Sequence, residues 1–175
     1  MGDVFKEQIV KRQTNIKDTA IRACLWVLFG LIAIAAFGFL HTSIGMIIVI
    51  VLWFGVKFLT SFLSIEYEYV LTNGELDIDI IYDRSRRKRV FTANVKSFEI
   101  MAHIQDKNHE AAFNTAQVTK DFSSGVPGPD TYVFLTVIDG KKTKVIIEPN
   151  EKMLKAFCGV LTRRNLHLRP GVVLL

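Results

Sequence analysis

The sequence predicts an α+β membrane protein, in which an N-terminal transmembrane helical hairpin leads into a small antiparallel β-barrel or sandwich closed by a C-terminal helix. Three observations predict it. Two long apolar runs, Ala23 to Leu40 and Ile44 to Leu63, are separated only by His41, Thr42 and Ser43. Directly after Leu63 the hydrophobic period changes to two, with two-residue turn signals between the alternating stretches. Helical spacing then returns once, in the segment that follows Pro149. Each apolar run has about the ~20 residues that a helix rising ~1.5 Å per residue needs to cross ~30 Å of hydrocarbon. A chain of 175 residues has room for that hairpin and one small domain.

Residues 1–22 read as a basic cytoplasmic segment carrying Lys6, Lys11, Arg12, Lys17 and Arg22. Val4, Phe5, Ile9 and Val10 suggest a short apolar stripe with Asp3 as its cap: either an interfacial helix on the bilayer or a loosely ordered flank. Residues 23–63 form the hairpin. No Lys, Arg, Asp or Glu occurs between Ala23 and Val56, whereas both outer flanks are basic. The positive-inside rule then predicts a two-pass protein of the inner (cytoplasmic) membrane, with both termini in the cytoplasm and the turn outside. A signal peptide cleaved near Ala33 and Ala35 is the competing reading, but the apolar run exceeds the usual ~7 to 15 residues. Arg22, Trp53 and Lys57 are read as membrane-interface anchors, the lysine extending its ammonium to the headgroups. Gly30, Gly38, Gly45 and Gly55 suggest close helix approach.

Residues 64–175 read as the cytoplasmic domain. Tyr67, Tyr69 and Leu71, then Leu76, Ile78 and Ile80, alternate with acidic residues around Asn73-Gly74, a strong type I′ hairpin signal. That pairing gathers Glu68, Asp77 and Asp79 on one face, where like charges oppose each other. A bound calcium ion is one answer, but the loop spacing of a calcium site is missing. Neutralisation by the run that follows, Arg84, Arg86, Arg87, Lys88 and Arg89, is the preferred one. The same cluster is the candidate contact for anionic lipid or a partner. Nucleic acid is not expected, because no aromatic platform is interleaved with these charges.

Val90 and Phe91 continue a short third strand, and Val95 to Ile104 suggests a fourth. Gln105 to Asp130 reads as a long loop with one short strand near Gln117 to Phe122. Asp139-Gly140 joins a second hairpin, Thr131 to Ile138 with Thr143 to Ile147. A helix capped by Asn150 then carries Met153, Leu154, Phe157, Cys158 and Leu161 at helical spacing, with Arg163 and Arg164 suiting its C-terminal dipole. Val172 to Leu175 reads as an apolar end that packs on the domain or dips toward the membrane. Cys24 and Cys158, the two cysteines, build no disulfide framework, which fits a reducing compartment.

About seven strands in two hairpin-rich sheets, closed by one helix, resemble a pleckstrin-homology-like (PH-like) domain. Preceded by two apolar helices, the arrangement is similar to small bacterial membrane proteins carrying such domains. The strings VFKEQIVKR (Val4 to Arg12), EYEYVLTNGELDIDI (Glu66 to Ile80), RKRVFTANVKSFEIMAHI (Arg87 to Ile104) and EPNEKML (Glu148 to Leu154) resemble an uncharacterised family from Clostridia-type bacteria. The resemblance implies an architecture and brings no activity with it. PH domains that bind phosphoinositides share a basic first hairpin loop, and the turn Thr72-Asn73-Gly74-Glu75 has no Lys or Arg. Any headgroup contact therefore falls on another surface.

Three function classes remain. An enzyme is not expected, since no HExxH, GxSxG, phosphate-cradling Gly loop or CxxC occurs and no cofactor is implied. A metal or acid-base site would need the Gln105 to Asp130 loop to gather His103 and His109 near Asp106 and Glu110. A small oligomeric transporter or channel component is the alternative, its polar lining limited to Lys57, Thr60 and Ser61. The favoured reading is a membrane-anchored interaction module. It would engage a protein partner, an anionic lipid surface, or a second copy through the hairpin.

Overall fold

The computed structural model describes residues 5–39, 42–161 and 166–167, and these form two compact units. Of the described residues, one comprises 14–39 and 42–65 with 82–86, the other 5–13, 66–81, 87–161 and 166–167.

The first unit is built on two long helices, α1 (Ile16–Phe39) and α2 (Thr42–Ser61). Both are long and apolar enough to cross a membrane. Their surfaces are apolar nearly all round: Ile34, Val51 and Phe54 are at least 63% exposed. Only a helix hydrophobic on every side has that property, and such a helix is normally surrounded by protein or by lipid. α1 starts seven residues before the apolar run, so it includes Lys17, Asp18 and Arg22. Close approach occurs at one glycine of the four predicted. A Cβ on Gly45 would lie 3.1 Å from the Ala36 carbonyl oxygen, whereas Gly30, Gly38 and Gly55 have open space.

The second unit is a β domain with two sheets. The first sheet has the order β1-β2-β3-β4, from β1 (Phe5–Lys11), β2 (Ile65–Thr72), β3 (Glu75–Tyr82) and β4 (Arg86–Asn94). The second has the order β6-β8-β7-β5-β9. Its strands are β5 (Ile100–His103), β6 (Val118–Asp121), β7 (Tyr132–Ile138), β8 (Lys141–Ile147) and β9 (Leu166–His167). The sheets are separate, so the domain is a sandwich and not a closed barrel. It is also not wholly antiparallel, since β6 runs parallel to β8 and β9 parallel to β5.

The largest correction concerns the N-terminal segment. Residues 5–11 are an edge strand of the domain, not an interfacial helix. β1 pairs antiparallel with β2 from Phe5↔Thr72 to Lys11↔Glu66. Gln8 fixes it further: its Nε2 donates to the Glu148 carbonyl and its Oε1 accepts from the Asn150 N–H, both at 2.7 Å. The chain therefore leaves the domain after β1, builds the whole helical hairpin, and returns beside its point of departure as β2.

Both predicted turns form as two-residue loops with left-handed backbone. Asn73 and Gly74 have φ of 51° and 89°, and Asp139 and Gly140 have 50° and 74°. These are the signs a type I′ turn demands, and Asn, Asp and Gly tolerate them best. Tyr69, Leu71, Leu76 and Ile78 are fully buried, as expected. The burial phase then slips, so that Ile81 takes the core position predicted for Ile80.

β7 is buried on both faces. On one, Phe134 stacks on Phe98 with centroids 3.9 Å apart, and Phe98 meets Phe157 of α4 (Glu151–Val160). On the other, Val133 and Leu135 pack with Ala102 under Phe113. Phe113 belongs to the short helix α3 (Glu110–Phe113), so part of the predicted loop is a structural cover. α4 begins as predicted, the Asn150 side chain accepting from the Met153 N–H at 2.9 Å. The expectations for Arg163, Arg164 and Val172 to Leu175 fall outside the described residues.

Candidate functional site

The acidic face of the first sheet is neutralised by the strand beside it. Arg87 reaches Glu68 at 2.9 Å, while Arg89 spans Asp77 at 2.9 Å and Asp79 at 3.1 Å. Thr92 donates to Asp77 at 2.6 Å. The neutralisation expected from the following strand is thus present in these ion pairs. Among the described residues there is no cluster of His, Cys, Asp and Glu suited to a metal ion.

This pairing reshapes the basic cluster singled out in the sequence. The Arg87 and Arg89 guanidiniums are engaged, and Arg86 lies 5.0 Å over the Phe58 ring. Arg86 and Lys88 remain exposed. Two of the cluster's five cations therefore serve the sheet.

Glu68 is 1% exposed, and its proton affinity is raised. Burial is the main cause, reinforced by the neighbouring Glu7 carboxylate and opposed by Arg87. The folded chain holds this proton more tightly than the unfolded chain does. Its contribution to stability is complete below the ordinary carboxylate pKa and is lost as pH rises through the raised one. Glu7→Gln is expected to raise stability above that window by roughly 0.5 kcal/mol, the scale of a cross-strand like-charge contact. Thermal unfolding of the detergent-solubilised chain at acid and at neutral pH measures it. An equal change at both would reject the carboxyl pair as the cause.

His103 and His109 do not share one site. His103 is buried, its Nδ1 accepting from the Gln105 N–H at 3.2 Å and its Nε2 facing the Pro129 carbonyl at 3.0 Å. With Nδ1 accepting, the Nε2 N–H is the ring's donor to the Pro129 carbonyl, a bond that ties β5 to the loop before β7. His109 instead bonds Asp106 at 2.9 Å and stacks on His167. That hydrogen bond holds the Asp106 carboxyl below its usual range. A cleft of about 310 Å³ opens beside them, lined by Lys107 and Lys144 as well as Asp106 and Glu110. Its charges balance, so it selects no ligand sign.

A second cleft, of about 250 Å³, lies in the helical unit. Arg22 and Trp26 of α1 face Lys57, Thr60 and Ser61 of α2 across it, with Ser64 and Asp83 completing the wall. The Thr60 and Ser61 hydroxyls donate to carbonyls of their own helix, including Val56 at 2.9 Å and Phe58 at 2.6 Å. They offer no free proton to a ligand. The Arg22 Nε is occluded and has no hydrogen-bond acceptor. Lys57 sits 5.9 Å from the Trp53 ring centroid. Of the three predicted anchors, Arg22 and Lys57 converge on this cleft and Trp53 braces one of them. Sequence reading named these residues singly; that they meet follows from the antiparallel return of the second helix.

A two-sheet β sandwich capped by a C-terminal helix, with a helical hairpin inserted after its first strand, defines the class: a PH-like domain carrying two apolar helices. The chain belongs to the bacterial PH-like domain family (DUF6106), which it matches over residues 2–166. No curated protein and no solved structure matches it.

Proposed function

We propose that this protein is a membrane-anchored PH-like interaction module. Its helical hairpin spans the inner membrane, and its sandwich is held at the cytoplasmic face for a protein partner or an anionic lipid surface. The observation that carries this reading is the β1–β2 ladder on either side of the hairpin. Because Lys11 pairs with Glu66, the two ends of the hairpin leave and re-enter the domain side by side. Two spanning helices joined this way have both ends on one side of the bilayer. The charge-free stretch from Ala23 to Val56 and the basic flanks favour the cytoplasm for that side. A chain so tethered presents the exposed Arg86 and Lys88 within reach of anionic headgroups, where each basic residue contributes ~1 kcal/mol.

The test is alkaline carbonate extraction followed by labelling of single cysteines placed at Gln13, Ser43 and Glu75, in a chain with Cys24 and Cys158 changed to Ser. The chain is expected to stay in the membrane pellet. In intact cells stripped of outer wall, an impermeant maleimide is expected to label Ser43→Cys alone. Release by carbonate, or labelling of Gln13→Cys from outside, would overturn the reading.

A further inference from the structure

We propose that the cleft between Arg22 and Lys57 binds the phosphodiester of one anionic glycerophospholipid. The proposal rests on the membrane reading above. Arg22 lies six residues into α1 and Lys57 four residues before the end of α2. At ~1.5 Å per residue both sit within about 10 Å of the helix ends that adjoin the domain, which is the depth of headgroup and glycerol. Each cation comes from a different helix, so the site exists only when the hairpin is closed.

Neither cation has an ion-pair partner among the described residues, and an occluded guanidinium N–H without an acceptor is costly to leave unmet. An entering oxyanion supplies that acceptor. Arg offers a planar fork matched to two phosphate oxygens, and Lys adds a point charge from the opposite wall. Asp83 is the one carboxylate on the lining, so two cations and one anion leave a single positive charge. That balance suits a phosphodiester monoanion better than a dianionic phosphomonoester, and better than a zwitterionic head of no net charge. At about 250 Å³ the cleft is too small for a whole ligand, below the ~300–1,000 Å³ typical of small-molecule pockets. It fits a headgroup whose acyl chains continue down the exposed apolar surface of the helices.

Native mass spectrometry of the full chain, released from detergent with added phosphatidylglycerol, tests this. One lipid is expected to be retained at least ten-fold more strongly than phosphatidylcholine or phosphatidylethanolamine. Inorganic phosphate and glycerol 3-phosphate, which lack acyl chains, are expected not to compete. The double substitution Arg22→Gln with Lys57→Gln is expected to abolish the preference, while Lys141→Gln with Lys152→Gln, at exposed positions of the β domain, leaves it intact. Arg22→Lys keeps the charge and loses the fork, and a several-fold loss is expected even if the double variant fails to fold. Unselective retention, competition by free phosphate, or full retention in Arg22→Lys would overturn the site. Carbonate release of the wild-type chain would instead remove the membrane reading beneath it, so the two failures are distinguishable.

Discussion

A chain in which Gln13 is joined to Ser64 through a short Asn-Gly turn, deleting Thr14 to Leu63, is expected to be a soluble, folded sandwich. The ladder already brings Lys11 beside Glu66, so closing the gap needs only a hairpin loop of a few residues. A chain beginning at Ser64 is expected to fail. It lacks β1, and with it the buried Val10, the seven cross-strand pairs and both hydrogen bonds of Gln8. At about 1 kcal/mol for each hydrogen bond lost, the deficit rivals the ~5–15 kcal/mol that holds a small domain together. It also bares the edge of β2 to other chains, an invitation to aggregate. Size-exclusion chromatography and amide hydrogen exchange on the two shortened chains would measure the contrast. If the Ser64 chain proved monomeric and as protected as the other, the integral role of β1 would be wrong.

Tyr69 is expected to be the costliest single hydroxyl in the domain. Its side chain rises from the first sheet, is fully buried, and donates to the Phe122 carbonyl at 2.6 Å while accepting from the Glu148 N–H at 3.3 Å. Those two groups follow β6 and β8 of the other sheet, so one oxygen fastens the layers together. Burial pushes the phenol's pKa far above its ordinary value, which keeps the proton in place for donation. Tyr69→Phe leaves a buried carbonyl and a buried N–H without that partner, at about 1–3 kcal/mol. Tyr69→Ala adds the loss of a ring-sized volume, for about 3–5 kcal/mol in total. Thermal melts of the full chain in detergent should rank wild type above Phe and Phe above Ala. A midpoint unchanged in Tyr69→Phe would mean that the oxygen fastens nothing.

What the sequence disclosed follows from where the signals are local. Asn73-Gly74, Asp139-Gly140 and Asn150 each specify a turn or cap through their own backbone preferences, and each forms as expected. The apolar runs needed no partner to be recognised. β1 was illegible because its partner lies beyond the hairpin and its inward face is only Gln8 and Val10, while Phe5 and Ile9 point outward and are more than half exposed. An edge strand with apolar residues on its open face mimics a helical stripe. β9 spans two residues, too short to carry a period. The cover over Val133 and Leu135 was hidden for a related reason: Phe113 is a single apolar residue whose target lies on another strand. At the candidate site, Arg22 and Lys57 were each recognisable as interfacial cations, but their convergence depends on the packing of α1 against α2.

For a chain anchored as proposed, the ladder between β1 and β2 also sets an order of assembly during synthesis. β1 is an edge strand whose partner among the described residues, β2, is made after both helices. It must wait, unpaired, while the hairpin enters the bilayer and turns back, since pairing across so long a separation is slow and exposed to misassembly. A hairpin that stalls with its second helix on the wrong side would strand β2 across the membrane from β1. Completion of the sandwich is therefore a built-in record that insertion succeeded, and a chain that inserted wrongly would display an open strand edge to the cell's proteases.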